Sequence, residues 1–132
     1  KLLGDNSVRL PPPSFSTAIK ISDSKGIDVV GIDMDEKSFT EAYTTNVSIW
    51  HLYKRGRLEK YMAKKGIVGT TPEEISINME ESIRQIKGFA KLEEQRVSAM
   101  AENLGEYLGK EKILVVIELP NVDSLIKLLK ES

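Results

Sequence analysis

Three carboxylates and one amide stand where chemistry could sit. Ile27-Asp28-Val29-Val30-Gly31-Ile32 is a β-branched run that ends in Asp33-Met34-Asp35-Glu36. Ile113-Leu114-Val115-Val116-Ile117 is an apolar run that ends in Glu118-Leu119-Pro120-Asn121. Both runs read as strands. In open parallel sheets, ligands gather beyond the carboxyl ends of the strands. If the two strands are neighbours, Asp33, Asp35 and Glu118 converge, with Asn121 just beyond. Oxygen donors of that kind suit Mg²⁺ or Mn²⁺, and two of them could divide the roles of general acid and base. The plainer reading is that Asp35 and Asn121 cap the helices that follow, and that Glu118 is an ordinary strand-end residue. The plainer reading is adopted. No cofactor is assigned, and Mg²⁺ or Mn²⁺ belongs to the alternative of a metal-dependent hydrolase.

Other chemistries lack their residues. There is no cysteine, which excludes disulfides, thiolate zinc sites and a cysteine nucleophile. His51 is the one histidine, so a multi-histidine metal site cannot form within the chain. It sits beside Trp50 and Tyr53 in a helical stretch and is expected to be structural or exposed. No Gly-x-Ser-x-Gly elbow and no Gly-x-x-x-x-Gly-Lys loop occurs. Lys54, Arg55, Arg57, Lys60, Lys64 and Lys65 form a basic segment with Trp50, Tyr53 and Tyr61 interleaved. Aromatic rings among cations can bind nucleic acid through phosphates and stacking. The adopted reading is a solvated helix face opposite the acidic start of the next helix, Glu73, Glu74, Glu80 and Glu81. Nucleic acid is therefore not expected as a partner. Nineteen Lys and Arg against 20 Asp and Glu leave a net charge of -1, with no global bias toward polyanions.

The elements that would position these residues alternate. A helix is expected from Ser14 to Lys25, stopped by Gly26. The first strand spans 27–33. Helices follow over Glu36 to Tyr43 and Val47 to Lys65, separated by a break at Thr44-Thr45-Asn46. Thr71-Pro72-Glu73-Glu74 is a strong helix start, with Thr71 as cap, Pro72 at the first position and Glu74 closing a capping box. From there to Gly109 the chain reads as one helical run. Its apolar seam falls at Met79, Ile83, Ile86, Ala90, Val97, Met100, Leu104 and Tyr107, with one slot taken by Glu93. Straight, it would reach roughly 55 Å, against a radius of gyration of roughly 14 Å for a domain of this size. It must bend near Gly88 and pack on its own domain, or protrude and find a partner. The second strand spans 113–118, and a last helix follows Asn121. Strand, helices, strand, helix points to parallel pairing through crossover helices. A third strand could lie in Lys1–Leu10.

The fold class expected is thus α/β, one domain over 1–132. It has a small parallel sheet, crossover helices and a mostly helical insertion at 36–109, in the form of a helical hairpin arm. The chain begins at Lys1, so an N-terminal part is expected to be missing. No apolar run approaches the roughly 20 residues of a membrane span, and no signal peptide pattern is seen. A cytoplasmic location is expected.

Gly31-Ile32-Asp33-Met34-Asp35, Arg96-Val97-Ser98-Ala99-Met100-Ala101 and Val115-Val116-Ile117-Glu118-Leu119-Pro120-Asn121, with Ser16-Thr17-Ala18-Ile19 before them, resemble the C-terminal half of the TraB/PrgY family of pheromone-shutdown proteins. The resemblance covers most of residues 14–130. It implies an α/β architecture with a helical insertion, and binding roles for Arg96 and Asn121. Family members with proposed metal-dependent hydrolase activity carry histidines in Gly-x-x-His-type motifs. Here the C-terminal equivalent, Glu118-Leu119-Pro120-Asn121, has none, and Met34 replaces an arginine. The similar Asp-x-Asp of haloacid dehalogenase phosphatases needs a second acidic pair, which 117–120 does not supply. The expectation is a non-catalytic binding or homo-oligomeric assembly module, a homodimer through its helices, with Asp33, Asp35 and Glu118 as the catalytic candidates of the alternative.

Overall fold

The computed structural model describes residues 12–109 and 112–131. The third strand expected in Lys1–Leu10 lies outside the described residues. The chain divides into two units at Gly31–Ile32. The first carries α1, Pro13–Lys25. Pro13 suits the first helical position because its missing N–H would be unpaired there anyway. Gly26 ends the helix at φ 62°, and the Ile27 amide returns to the Ser22 carbonyl at 2.9 Å, which satisfies an otherwise orphaned acceptor.

The second unit holds α2 (Glu36–Asn46), α3 (Ile49–Lys65), α4 (Pro72–Arg84), α5 (Lys87–Gly105), a 3₁₀ turn (Leu119–Asn121) and α6 (Val122–Glu131). Asp35 caps α2 by accepting from the Ser38 amide at 2.7 Å. The helix runs through the expected break: Thr44 bonds back to the Thr40 carbonyl, and Asn46 to that of Ala42. Thr71 caps α4 as expected, accepting from the Glu74 amide at 3.2 Å. The carboxylate of Glu74 reaches one residue further than a capping box requires, to the Thr70 amide at 2.7 Å.

α5 is the axis of this unit. Its first half buries Phe89 and Leu92 with Ile86 and Val47, against Tyr43 of α2 and Leu58 of α3. Its second half buries Val97, Met100 and Leu104 with Leu125 of α6. Ile32, Val115 and Ile117 pack on that second cluster. Each fully buried side chain of this size contributes roughly 1.5–3 kcal/mol.

The run from Thr71 to Gly109 is not one helix. Ile86 is extended, at φ -84° and ψ 113°, and separates α4 from α5. Turning there carries Ile86 and Ile83 onto Val47 and Phe89. A straight helix would have left those side chains in water. Just beyond the turn, α5 crosses the start of α3 closely. A Cβ on Gly88 would lie 2.3 Å from Nδ1 of His51 and 2.5 Å from the Asn46 carbonyl oxygen. His51 is therefore structural: its Nδ1 accepts from the Ser48 amide at 3.1 Å, at the N-terminus of α3.

The α/β expectation is overturned. Among the described residues there is no strand and hence no parallel sheet. Neither 27–33 nor 113–118 forms a backbone ladder. Val29, Val30 and Leu114 are 59%, 50% and 88% exposed. β-branched composition suits a pleated, half-buried surface, but a strand exists only when its backbone has a partner. Residues 36–109 are accordingly not an insertion between strands. They are the helical body of the second unit, and the architecture that the TraB/PrgY resemblance implied is not found.

Candidate functional site

Five charged residues of the second unit, with one amide, form a closed ring. Glu93 and Arg96 stand three apart on α5 and so share a face, with Arg96 Nη1 3.0 Å from Glu93 Oε1. Arg96 also forks onto Asp33: Nε donates to Oδ1 at 3.3 Å, and Nη2 donates to Oδ2. The same Nη2 lies 3.7 Å from Glu118 Oε2. Glu118 accepts from Asn121 Nδ2 at 3.2 Å. Asn121 Oδ1 accepts from Arg84 Nη2 at 2.8 Å, and Arg84 closes the ring on Glu93 at 3.4 Å. Arg84 comes from the last turn of α4, Asp33 from the segment before α2, and Glu118 and Asn121 from the approach to α6.

Asn121 is fully buried, and both ends of its amide are bonded within the ring. Its side chain therefore does not serve as the helix cap expected of it. Burial alone would make the Arg96 guanidinium easier to deprotonate. Its hydrogen bond to Asp33 and the charges of Glu93 and Asp33 outweigh that, and its pKa is held above the ordinary arginine value.

The structure brings Asp33, Glu118, Arg96 and Asn121 together and leaves Asp35 apart. Asp35 is spent on capping α2, and the Ser38 amide holds its carboxyl below the usual carboxylate range. Arg84 and Glu93 were not singled out as functional by their sequence context. One signal did exist: Glu93 is the polar slot in an otherwise apolar seam, and it is polar because two arginines meet there.

The chemistry open to this ring is limited. Two guanidiniums stand among three carboxylates, so all but one of the negative charges are compensated within the site. A divalent ion would have to displace Arg96 from Asp33 and Glu118. Among the described residues no group of three or more His, Asp or Glu is disposed to hold a metal. The ring's evident effect is mechanical, because it joins the end of α4, the face of α5 and the entrances to α2 and α6. A cleft of about 320 Å³ opens beside it, between Arg84 and Glu81 on one side and Leu119 and Asp123 on the other.

The basic helix departs from its expected surroundings. α3 packs against α4 and α5, yet among the described residues its only ion pair is internal, Arg55 to Glu59 at 2.8 Å. At the start of α4, Glu74 is committed to Thr70 rather than to a cation of α3. No helix among the described residues is long and apolar enough to cross a membrane. Comparison with protein-family models, curated proteins and solved structures finds no match to this chain.

Proposed function

We propose that this protein is a non-catalytic, cytoplasmic assembly module, and that its second unit joins a second copy by antiparallel pairing of residues 112–118. The carboxylates of the hydrolase alternative are held by Arg96 or by a helix end, which favours a structural role for them. The observation that carries the reading is the state of the Lys112–Glu118 segment. From Leu114 to Ile117 burial alternates: Val115 and Ile117 pack on the helical core, while Leu114 and Val116 are exposed, as is Ile113 before them. That period of two belongs to an extended chain. No backbone hydrogen bond joins Ile113–Ile117 to another described residue. An extended apolar segment with free N–H and C=O groups is a template for a second strand.

The sequence of the segment selects its partner. Lys-Ile-Leu-Val-Val-Ile-Glu is complementary to itself when paired antiparallel about Val115. Lys112 then opposes Glu118, Ile113 opposes Ile117, and Leu114 opposes Val116. A pair of this kind is isologous and closes as a twofold dimer. Opposite charges directly across an antiparallel pair add to its stability, and like charges subtract. The helical seam at 79–107 is a poorer interface, because Val97, Met100 and Leu104 are already buried within the chain.

Light scattering over a concentration series tests this. A strand pair of this length buries less than a standard interface, so a dimer in the micromolar range is expected. Leu114→Pro removes an amide donor at an 88% exposed position, and should give a monomer with an unchanged far-ultraviolet spectrum. Lys112→Glu places two acids opposite each other and should weaken the dimer. A wild-type monomer at about 200 µM, well above a micromolar Kd, would remove the proposal.

A further inference from the structure

We infer that the outward face of α3 is a binding surface for single-stranded nucleic acid. Met62 is buried, and His51, Arg55, Leu58 and Glu59 are partly buried, which fixes the side of the helix that meets the core. At 3.6 residues per turn, the opposite arc carries Trp50, Tyr53 and Tyr61 together with Lys54, Arg57, Lys60, Lys64 and Lys65. All eight are exposed, with the three rings at 67%, 55% and 61%. No acid lies on this arc. The only carboxylate of α3, Glu59, is on the core side and held by Arg55. The five outward cations have no ion-pair partner among the described residues.

In a chain of net charge -1, this helix sets six cations against one acid. That local excess calls for an anionic partner. The aromatic rings narrow the choice. Trp50 and Tyr53 already meet edge to face, with centroids 5.4 Å apart, which leaves their outer faces free. Rings and cations alternate at helical neighbour spacing: Trp50 with Lys54, Tyr53 with Arg57, Arg57 with Tyr61, Tyr61 with Lys64 and Lys65. A polymer with alternating phosphates and bases matches such a pattern, phosphates to the cations and unstacked bases to the rings. A helix built to lie in an anionic bilayer would separate the two kinds of residue, with rings on one side and cations on the other. From Trp50 to Tyr61 the surface runs roughly 17 Å along the helix, enough for a short stretch of single strand.

Trp50 is the only tryptophan, so its fluorescence reports the contact directly. Titration with a twelve-nucleotide oligothymidylate at low salt should give saturable quenching. With about three phosphates engaged, log K should fall against log salt with a slope of about -2. The triple variant Arg57→Gln, Lys60→Gln, Lys64→Gln changes only exposed side chains. It should bind at least about tenfold more weakly, with the salt slope near zero. Trp50→Ala, followed by anisotropy of a labelled oligonucleotide, should weaken binding roughly 5- to 150-fold. Four outcomes overturn the inference: no quenching at low salt, a triple variant that binds as tightly as wild type, equal affinity for polyglutamate, or binding only to phosphatidylserine vesicles.

Discussion

Gly88→Ala should destabilise the second unit, although alanine is the better helix former. The added Cβ would meet His51 Nδ1 at 2.3 Å, His51 Cε1 at 2.8 Å and the Asn46 carbonyl oxygen at 2.5 Å, where ordinary contact begins near 3.4 Å. The imidazole could swing aside, at the expense of its bond to the Ser48 amide. The Asn46 oxygen is backbone and cannot rotate away, so α5 itself must retreat. Phe89 and Leu92 would then draw back from Val47. Overpacking of this kind costs about 1–3 kcal/mol, against a helix-propensity gain of about 1 kcal/mol. The net loss should be about 1 kcal/mol, and at most about 2 kcal/mol. Gly56 in α3 and Gly105 at the end of α5 are the controls, because a Cβ on either meets nothing within 4 Å. Gly56→Ala should therefore gain up to about 1 kcal/mol. With an m-value of about 2 kcal/mol per molar urea, the Gly88 and Gly56 variants should unfold roughly 0.5–1 M apart, followed by circular dichroism. His51→Ala added to Gly88→Ala should recover part of the loss but not all, because the Asn46 oxygen remains. A Gly88→Ala protein as stable as Gly56→Ala would show that α5 does not cross α3 as described.

Arg96→Met keeps the aliphatic contact and removes the cation from Asp33, Glu93 and Glu118. Asp33 and Glu118 are 41% and 46% exposed, so water screens part of the loss. A cost of about 1–3 kcal/mol in urea unfolding is expected, below that of breaking a fully buried pair. Asp35 and Glu74 are held below the usual carboxylate range by the Ser38 and Thr70 amides, respectively. A depressed folded pKa adds stability that is present above the unfolded pKa of about 4 and is lost as pH falls through the folded value. The urea midpoint should drop from pH 6 to pH 3. An Asp35→Asn, Glu74→Gln variant should drop less steeply, and an equal slope would refute these two bonds as the cause. Met100→Glu with Leu104→Glu places two charges in positions that are 3% and 4% exposed. Circular dichroism should show loss of the second unit's helices. A folded monomer would instead place the seam in an intermolecular interface.

Helix ends were legible because their signals are local. Gly26, Asp35 and Thr71 act within a few residues of themselves, and helices begin or end beside them. The ring was legible in part. Asp33, Glu118, Arg96 and Asn121 could be named from their places at the ends of apolar runs and in short motifs. Their connection through Arg84 and Glu93 could not, since Arg84 and Asn121 are 37 positions apart and Asp33 and Arg96 are 63 apart. The break at Ile86 was half legible. Length demanded a bend or a partner, and Gly88 marked where a bend would fall, but the seam itself ran on without a mark.

The two apolar runs show where local reading ends. Sequence by itself determined that 27–32 and 113–117 are β-branched, apolar and bounded by turn residues. Those properties concern side chains. Whether a run becomes a strand depends on where another backbone lies, and no residue within the run carries that information. In the same way, composition placed aromatic rings among cations on one helix, and only packing decided which side of that helix meets the core. The signals that hold within one turn of helix were written in the sequence. Partners separated by tens of residues were decided by the tertiary structure, because burial, pairing and charge compensation are properties of the surroundings a residue is folded into.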